Sequence, residues 1–463
     1  MLNQYSYPRA PPRFPFMPRR PTKRPALPEQ LVTHPAQLAA CLTHLAQAPL
    51  IGFDTEFVGE DAYRPELCLV QVSTAEELIV IDPFECGPLD GFWELLLDPN
   101  RTTIVHAGRE DIRMCYFQSG RPPAHVFDVQ IAAGLIGMTF PIGYGGLVHD
   151  LLHQRMQKGE TLTDWRKRPL TPAQVRYAYD DVRYLLPAHR KITDRLKRHK
   201  RLEWAEEEFA AAVRKAVADD ATVERWRKIK GIGALDRRGL AVARELYGWR
   251  DKFAERLNRP VRFLMRDDLL IEIAKRAPTK AEELHAVRGL PRGQEEAIIE
   301  AIRRGKVVPQ SQCPEPETRD NDPPNVAILG SLLGVVLNDF AARNKLAANL
   351  VSSGSDLKAV VRSRVYGEPL PDVPVCRGWR ARHVLPELLA LLSGDSAIRV
   401  ADVKALDPLE LVELEPEEED LPDADDSSHV AEPTEIEEPP PAEPEPTSEY
   451  VHPLPPRDGT LEG

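Results

Sequence analysis

The chain has nothing in its sequence to staple it covalently or through a structural metal. Its six cysteines (Cys41, Cys68, Cys86, Cys115, Cys313, Cys376) are scattered and form no C-x-x-C pair. That excludes a disulfide framework and a zinc cluster, and it suits a reducing, cytoplasmic setting. No apolar run reaches the roughly 18 residues of a membrane span, and the N-terminus lacks the apolar stretch of a secretory signal. No membrane partner is expected. Charge of one sign is missing from two regions: residues 1–28 hold six Lys/Arg and no acid, while Glu413–Glu449 holds 16 Asp/Glu and no Lys/Arg. Residues 29–412 carry a net charge of only −1, against −12 for the whole chain. The acidity therefore belongs to a tail, and a nucleic-acid partner stays open.

The length of 463 residues fits about two to four domains. Residues 1–28, rich in Pro and Arg, cannot build a core and are expected to form a disordered arm. Their prolines also break any amphipathic targeting helix. Across 29–220, short apolar runs alternate with amphipathic stretches, which predicts a mixed α/β domain. Strands are predicted at 50–57, 67–73, 78–82, 103–106 and 125–128, the first three as an antiparallel meander. Helices are predicted at 88–97, 109–118, 128–137, 145–153 and 172–195, the last opened by Thr171 as N-cap and Pro172 at the first helical position.

Downstream, residues 225–310 carry 21 Lys/Arg against 12 Asp/Glu, a net of +9. They read as short helices with Leu240, Ala243, Leu246, Trp249, Leu269 and Ile273 in a core. A polar, Pro-bearing linker follows at 311–324, then a helical unit at 325–403. From 404 to 463 an acidic, Pro-rich tail is expected to be disordered.

The chemistry starts at Ile51-Gly52-Phe53-Asp54-Thr55-Glu56-Phe57. In a strand, residues i and i+2 share a face, so Asp54 and Glu56 stand together while Phe53, Thr55 and Phe57 face the other way. Two such acids are tolerated as a solvated strand edge, or where a hard divalent cation offsets their repulsion. A second acidic site lies in Val105-His106-Ala107-Gly108-Arg109-Glu110-Asp111-Ile112, where a strand ends, Gly108 permits a tight turn and Asp111 falls in the first turn of a helix. A third is Tyr177-Ala178-Tyr179-Asp180-Asp181-Val182-Arg183-Tyr184. Tyr177 and Asp181 share a helical face, as do Asp180 and Tyr184, and periodicity leaves open which Asp faces inward.

These segments resemble the Exo I, Exo II and Exo III motifs of the DEDDy 3′-to-5′ exonucleases, and their flanks resemble ribonuclease D. The matching text is FDTEF, YRPELCLVQVS, IVHAGREDI, VFDVQIAAGLIG, LTDWRKRPLT and YAYDDVRYLLP, spread over roughly residues 30–200. The resemblance implies a ribonuclease H-like domain with a mixed sheet. Its four acids are Asp54, Glu56, Asp111 and Asp181, and Tyr177 is the accompanying tyrosine. It also implies two divalent ions, Mg²⁺ or Mn²⁺, with Asp54 bridging them, Glu56 and Tyr177 orienting the attacking water, and Asp111 and Asp181 completing the ligation. Residues 226–290 resemble an HRDC domain, and 325–403 resembles a second, more divergent one.

The expected activity is 3′-to-5′ exoribonucleolytic trimming of structured RNA ends, tRNA precursors among them, by a monomer. A DNA exonuclease of the same superfamily and a non-catalytic nucleic-acid-binding protein are the alternatives. Four further residues are candidates for touching the nucleic acid: Arg64 in the loop before the second strand, His106, and Trp165 with Arg168 in a basic-aromatic cluster. For His106 a buried, hydrogen-bonded role competes, and for Trp165 so does the role of a loop anchor. Asp128 is read as a helix cap.

Overall fold

The computed structural model describes residues 27–156, 164–221, 224–285, 287–316 and 322–414. Most of the Pro/Arg-rich arm and the tail from residue 415 lie outside the described residues. The first domain is built on a six-stranded sheet of β1 (Glu29–Val32), β2 (Leu50–Val58), β3 (Glu66–Ser73), β4 (Leu78–Ile81), β5 (Thr102–Val105) and β6 (His125–Asp128). The spatial order is β1-β4-β3-β2-β5-β6. β2, β3 and β4 form the expected antiparallel meander, whereas β1 on β4 and β5, β6 beyond β2 pair in parallel. β1 is not among the predicted strands, because four residues bordering a Pro-rich arm carry too short a pattern.

Helices α1 (Pro35–Leu45), α2 (Pro83–Cys86), α3 (Asp90–Leu96), α4 (Arg109–Ser119), α5 (Val129–Gly134) and α6 (Tyr144–Leu152) follow the strands. The sheet is apolar on both faces. One face packs Ile51, Phe53, Val70 and Val72 against Phe92, Trp93, Ile112 and Cys115. The other packs Leu69 and Val80 against Val182, Leu185 and Ile192.

The single helix expected at 172–195 is two: α7 (Pro172–Arg183) and α8 (Leu185–Arg198), broken at Tyr184. Pro187 explains the break, since it has no N–H for the Arg183 carbonyl and its ring clashes there. The freed groups are used elsewhere: Ser73 Oγ donates to the Val182 carbonyl at 2.8 Å, and the Tyr184 N–H donates to the Tyr144 hydroxyl at 3.0 Å. At its start, α7 has a full capping box between Thr171 and Gln174. α9 (Leu202–Ala221) then leads out of the domain.

The basic segment forms α10 (Arg237–Leu257), α11 (Val261–Leu264), α12 (Asp267–Arg276), α13 (Glu282–His285) and α14 (Glu295–Val307), with its own core. Of the six core residues expected, five are buried and Trp249 is partly so. α10 and α14 touch closely at Gly305, where a Cβ would come within 2.5 Å of the Val242 Cα.

The last unit comprises α15 (Pro324–Arg343), α16 (Ala348–Val351), α17 (Gly354–Val365), α18 (Gly378–His383) and α19 (Leu385–Ser393). Its apolar residues do not form a separate core. Leu333, Leu337, Phe340, Leu350 and Trp379 join the same cluster as Val182 and Leu185 of the first domain. By length and composition α15 alone among the described helices passes for a membrane span, yet Val326, Leu333, Val336 and Leu337 are buried in that shared core. The expected tail begins later than 404, because Leu409–Glu413 (β8) pairs antiparallel with Ser396–Val400 (β7), and the Leu409 N–H is held by Asp339 at 3.0 Å.

Candidate active site

β2 sets Asp54 and Glu56 on one face, and that face is roofed by α7 and α8. The approach is close enough that a Cβ on Gly52 would meet Ser73 Oγ at 2.2 Å and the Leu185 and Leu186 side chains at 3.1 Å, so glycine is required there. α7 thereby brings Asp181 down onto the pair. One carboxylate oxygen each from Asp54, Glu56 and Asp181 lie within 4.8 Å of one another. Asp180, the neighbour that periodicity left in competition, turns away and pairs with Arg183 at 2.8 Å.

Asp111 arrives from the opposite layer. Thr55, on the other face of β2, donates to Asp111 Oδ1 at 2.6 Å, which locks the fourth carboxylate beside the other three. Among nearby charges, that of Asp111 acts most strongly on both Asp54 and Glu56. The turn into α4 is shaped by Asp128, which accepts from the Ala107 and Gly108 N–H groups at 3.1 Å each and caps α5 through the Gln130 N–H at 2.8 Å. That is the structural role expected of it, extended to the turn that delivers Asp111.

Four carboxyls crowded into a part-buried pocket resist ionisation. Burial, then the charges of Asp111, Asp181 and Glu56, hold Asp54 well above the carboxylate range. Burial and Asp111 push Glu56 up to about 8, and burial and Glu56 push Asp181 up to about 8. Asp111 rises to about 6 through burial, opposed by its bond from Thr55. Among the described residues no Arg or Lys pairs with any of the four. Asp181 Oδ2 is buried with no hydrogen-bond partner. Hard oxygen donors, uncompensated charge and an orphaned carboxylate oxygen together fit a divalent cation such as Mg²⁺ or Mn²⁺. Tyr177 lies one helical turn before Asp181, and burial together with the Asp181 charge keeps its phenol protonated.

Residues 30–197 match a family model described as 3′-5′ exonuclease, and residues 239–303 match the HRDC domain. A ribonuclease D of Acidiphilium cryptum is 35% identical over 362 residues, covering 76% of this chain and 90% of the relative. The ribonuclease D of Gluconacetobacter diazotrophicus is 34% identical over 352 residues, covering 75% and 88%. The chain belongs to the ribonuclease D family. Among solved structures, Escherichia coli RNase D, described as an exoribonuclease involved in structured RNA processing, superposes with a TM-score of 0.69 at 27% identity, over 80% of this chain and 99% of that one. The protein is accordingly a 3′-5′ exonuclease acting on RNA, with a ribonuclease H-like sheet domain followed by helical HRDC-type structure.

The structure separates the five core site residues from the four peripheral candidates. His106 is half-buried, with Nε2 at 2.9 Å from the Ile142 carbonyl and its ring against Tyr144. Trp165 is buried, its ring centroid 5.9 Å from that of Tyr177, so no face is offered for a base. It anchors the loop and backs the tyrosine. Arg168 donates to both carboxylate oxygens of Asp82, at 2.8 Å for one, and to the carbonyls of Cys68, Trp165 and Lys167. Its donors are thereby engaged by protein and not by phosphate. Arg64 pairs with Glu255 of α10 at 2.6 Å and belongs to a junction between domains. There Tyr63 donates to Asp251 at 2.9 Å and Arg262 to the Glu60 carbonyl at 2.7 Å. Sequence reasoning passed over Thr55, whose position on the far face hid its role. It also passed over the Arg166–Asp61 pair at 2.7 Å, for which spacing gives no signal.

Proposed function

We propose that the protein removes nucleotides one at a time from RNA 3′ ends by two-metal-ion hydrolysis, with tRNA precursors among its substrates. The observation that carries this is the convergence of Asp54, Glu56 and Asp181 within 4.8 Å beside Asp111, with no Arg or Lys among the described residues paired to them. Asp54, Glu56, Asp111 and Asp181 would hold the ions, and Glu56 together with Tyr177 would orient the attacking water. When bound, divalent ions supply a hydroxide near neutral pH and neutralise charge developing on the phosphoryl and leaving oxygens. The Tyr177 phenol, held protonated, donates or accepts a hydrogen bond without ionising. Thr55 fixes Asp111, and Asp128 fixes the turn beneath it, so the ligands are set before substrate arrives.

Phosphate affinity outside the site is supplied by the basic HRDC module with its net +9, since clustered Lys/Arg bind nucleic acid irrespective of sequence. A cleft of about 890 Å³ opens between this module and the exonuclease domain, with Arg113, Arg244 and Lys252 on its walls alongside the acids Glu110, Asp251 and Glu255. Six free cysteines, five of them buried, suit the cytoplasm.

Incubating the purified protein with 3′- and 5′-labelled tRNA precursor, and with a matched DNA strand, under Mg²⁺ or Mn²⁺ tests the proposal. Metal-dependent mononucleotide release from the RNA 3′ end is expected. Release from the 5′ end, release in the presence of chelator, or preference for the DNA strand overturns it.

A further inference from the structure

Gln71 is out of place in its surroundings. It sits in the middle of β3, fully buried, and neither its Oε1 nor its Nε2 has a hydrogen-bond partner. An orphaned buried amide is destabilising, so an apolar residue would serve the fold better. Register shows what it lies beside. Gln71 stands directly opposite Asp54 on β2 and opposite Val80 on β4. Directly opposed residues of an antiparallel pair share a face, with Cβ atoms about 4.5–5.5 Å apart, so the carboxamide is on the side of the sheet where the acids gather. Ser73, two residues on and on the same face, is already engaged with the Val182 carbonyl of α7. Leu69, two residues back, and Val80 are apolar. Asp54 is the polar side chain opposed to it across the strands.

We infer that Gln71 is a positioning residue for Asp54: in the ion-bound enzyme its Nε2 donates to the Asp54 carboxylate and fixes which oxygens face the ions. The inference rests on the proposed reading of Asp54 as a metal ligand. An N–H to a charged carboxylate is the stronger, charge-assisted kind of hydrogen bond. Partners that orient a metal ligand from behind change metal affinity or activity by about 10- to 100-fold when removed. The carboxamide is neutral, so it orients Asp54 without cancelling the charge that attracts the cation, as an arginine there would.

The test is Mn²⁺ titration calorimetry on the full-length protein, wild type against Gln71→Met and Gln71→Leu, with the melting temperature of each metal-free protein. Met keeps the length of the side chain and Leu its bulk, while both remove the donor. The expected result is a Mn²⁺ dissociation constant raised about 10- to 100-fold in variants that melt no lower than wild type without metal. A structural role gives the reverse pattern, a lowered melting temperature with Mn²⁺ affinity within about twofold of wild type, and overturns the inference. If wild type itself binds no Mn²⁺, the metal reading falls and this inference falls with it.

Discussion

The acids at the foot of α18 and those of the candidate active site are treated in opposite ways. Where α9 meets α18, Glu207 accepts from the Trp379 backbone N–H at 2.7 Å and pairs with Arg382, and Glu208 accepts from Trp379 Nε1 at 2.8 Å and pairs with Arg380. Against the push of burial, the Arg382 bond holds Glu207 below its usual range. In the pocket of Asp54, Glu56, Asp111 and Asp181 no Arg or Lys among the described residues plays that part, and every one of the four is raised. The first cluster joins structural units and is neutralised from within. The second is left without a partner of opposite charge among the described residues, so its acids hold their protons until a cation from solution offsets them.

The largest effect that separates the two is expected from Asp54→Asn. Nucleotide release should fall on the order of a thousand-fold, about 4 kcal/mol in barrier, with RNA binding by filter retention largely kept. Because one of four crowded acids is gone, the metal-free variant should melt above wild type. Arg380→Ala should do the opposite. It leaves the part-buried Glu208 with the Trp379 indole N–H but no cation and should cost about 3 kcal/mol in denaturant unfolding, with metal affinity unchanged.

A pH series sharpens the contrast. Glu56 and Asp181 keep their protons in the folded protein up to about 8, whereas in the unfolded chain such groups lose them near about 4. The folded form thus holds more protons across that interval. Stability present below about pH 4 should be lost as pH rises toward 8. Saturating Mn²⁺ should flatten this slope, as melting curves with and without the ion will show. The smallest effect is expected at the surface. Arg64→Ala breaks a pair in which both side chains are about half exposed and should change stability by less than about 1 kcal/mol, with little change in RNA affinity.

Much of this arrangement is legible in the sequence, for identifiable reasons. Period-2 alternation placed Asp54 with Glu56, and the i,i+4 rule placed Tyr177 with Asp181, because both depend on local geometry alone. Choosing Asp181 over Asp180 needed the family spacing, and the structure shows why: Arg183 holds Asp180 from behind and is itself held by Glu29, more than 150 positions away in sequence. For the same reason the sequence leaves Trp165 open between a nucleic-acid contact and a loop anchor and offers Arg168 as a contact, since Asp82 and Tyr177 reach them only through the fold. The break at Tyr184 was missed, although Pro187 carries its cause. The sharing of one core between the last helical unit and the exonuclease domain was not, since apolar periodicity says which face is buried and not against what.

Anomalous scattering from crystals soaked in Mn²⁺ addresses the empty charge balance of the acidic pocket most directly. Two manganese peaks, both within bonding distance of Asp54 and flanked by Glu56, Asp111 and Asp181, are expected. A pocket with no peak, or with a single ion, contradicts the two-ion reading.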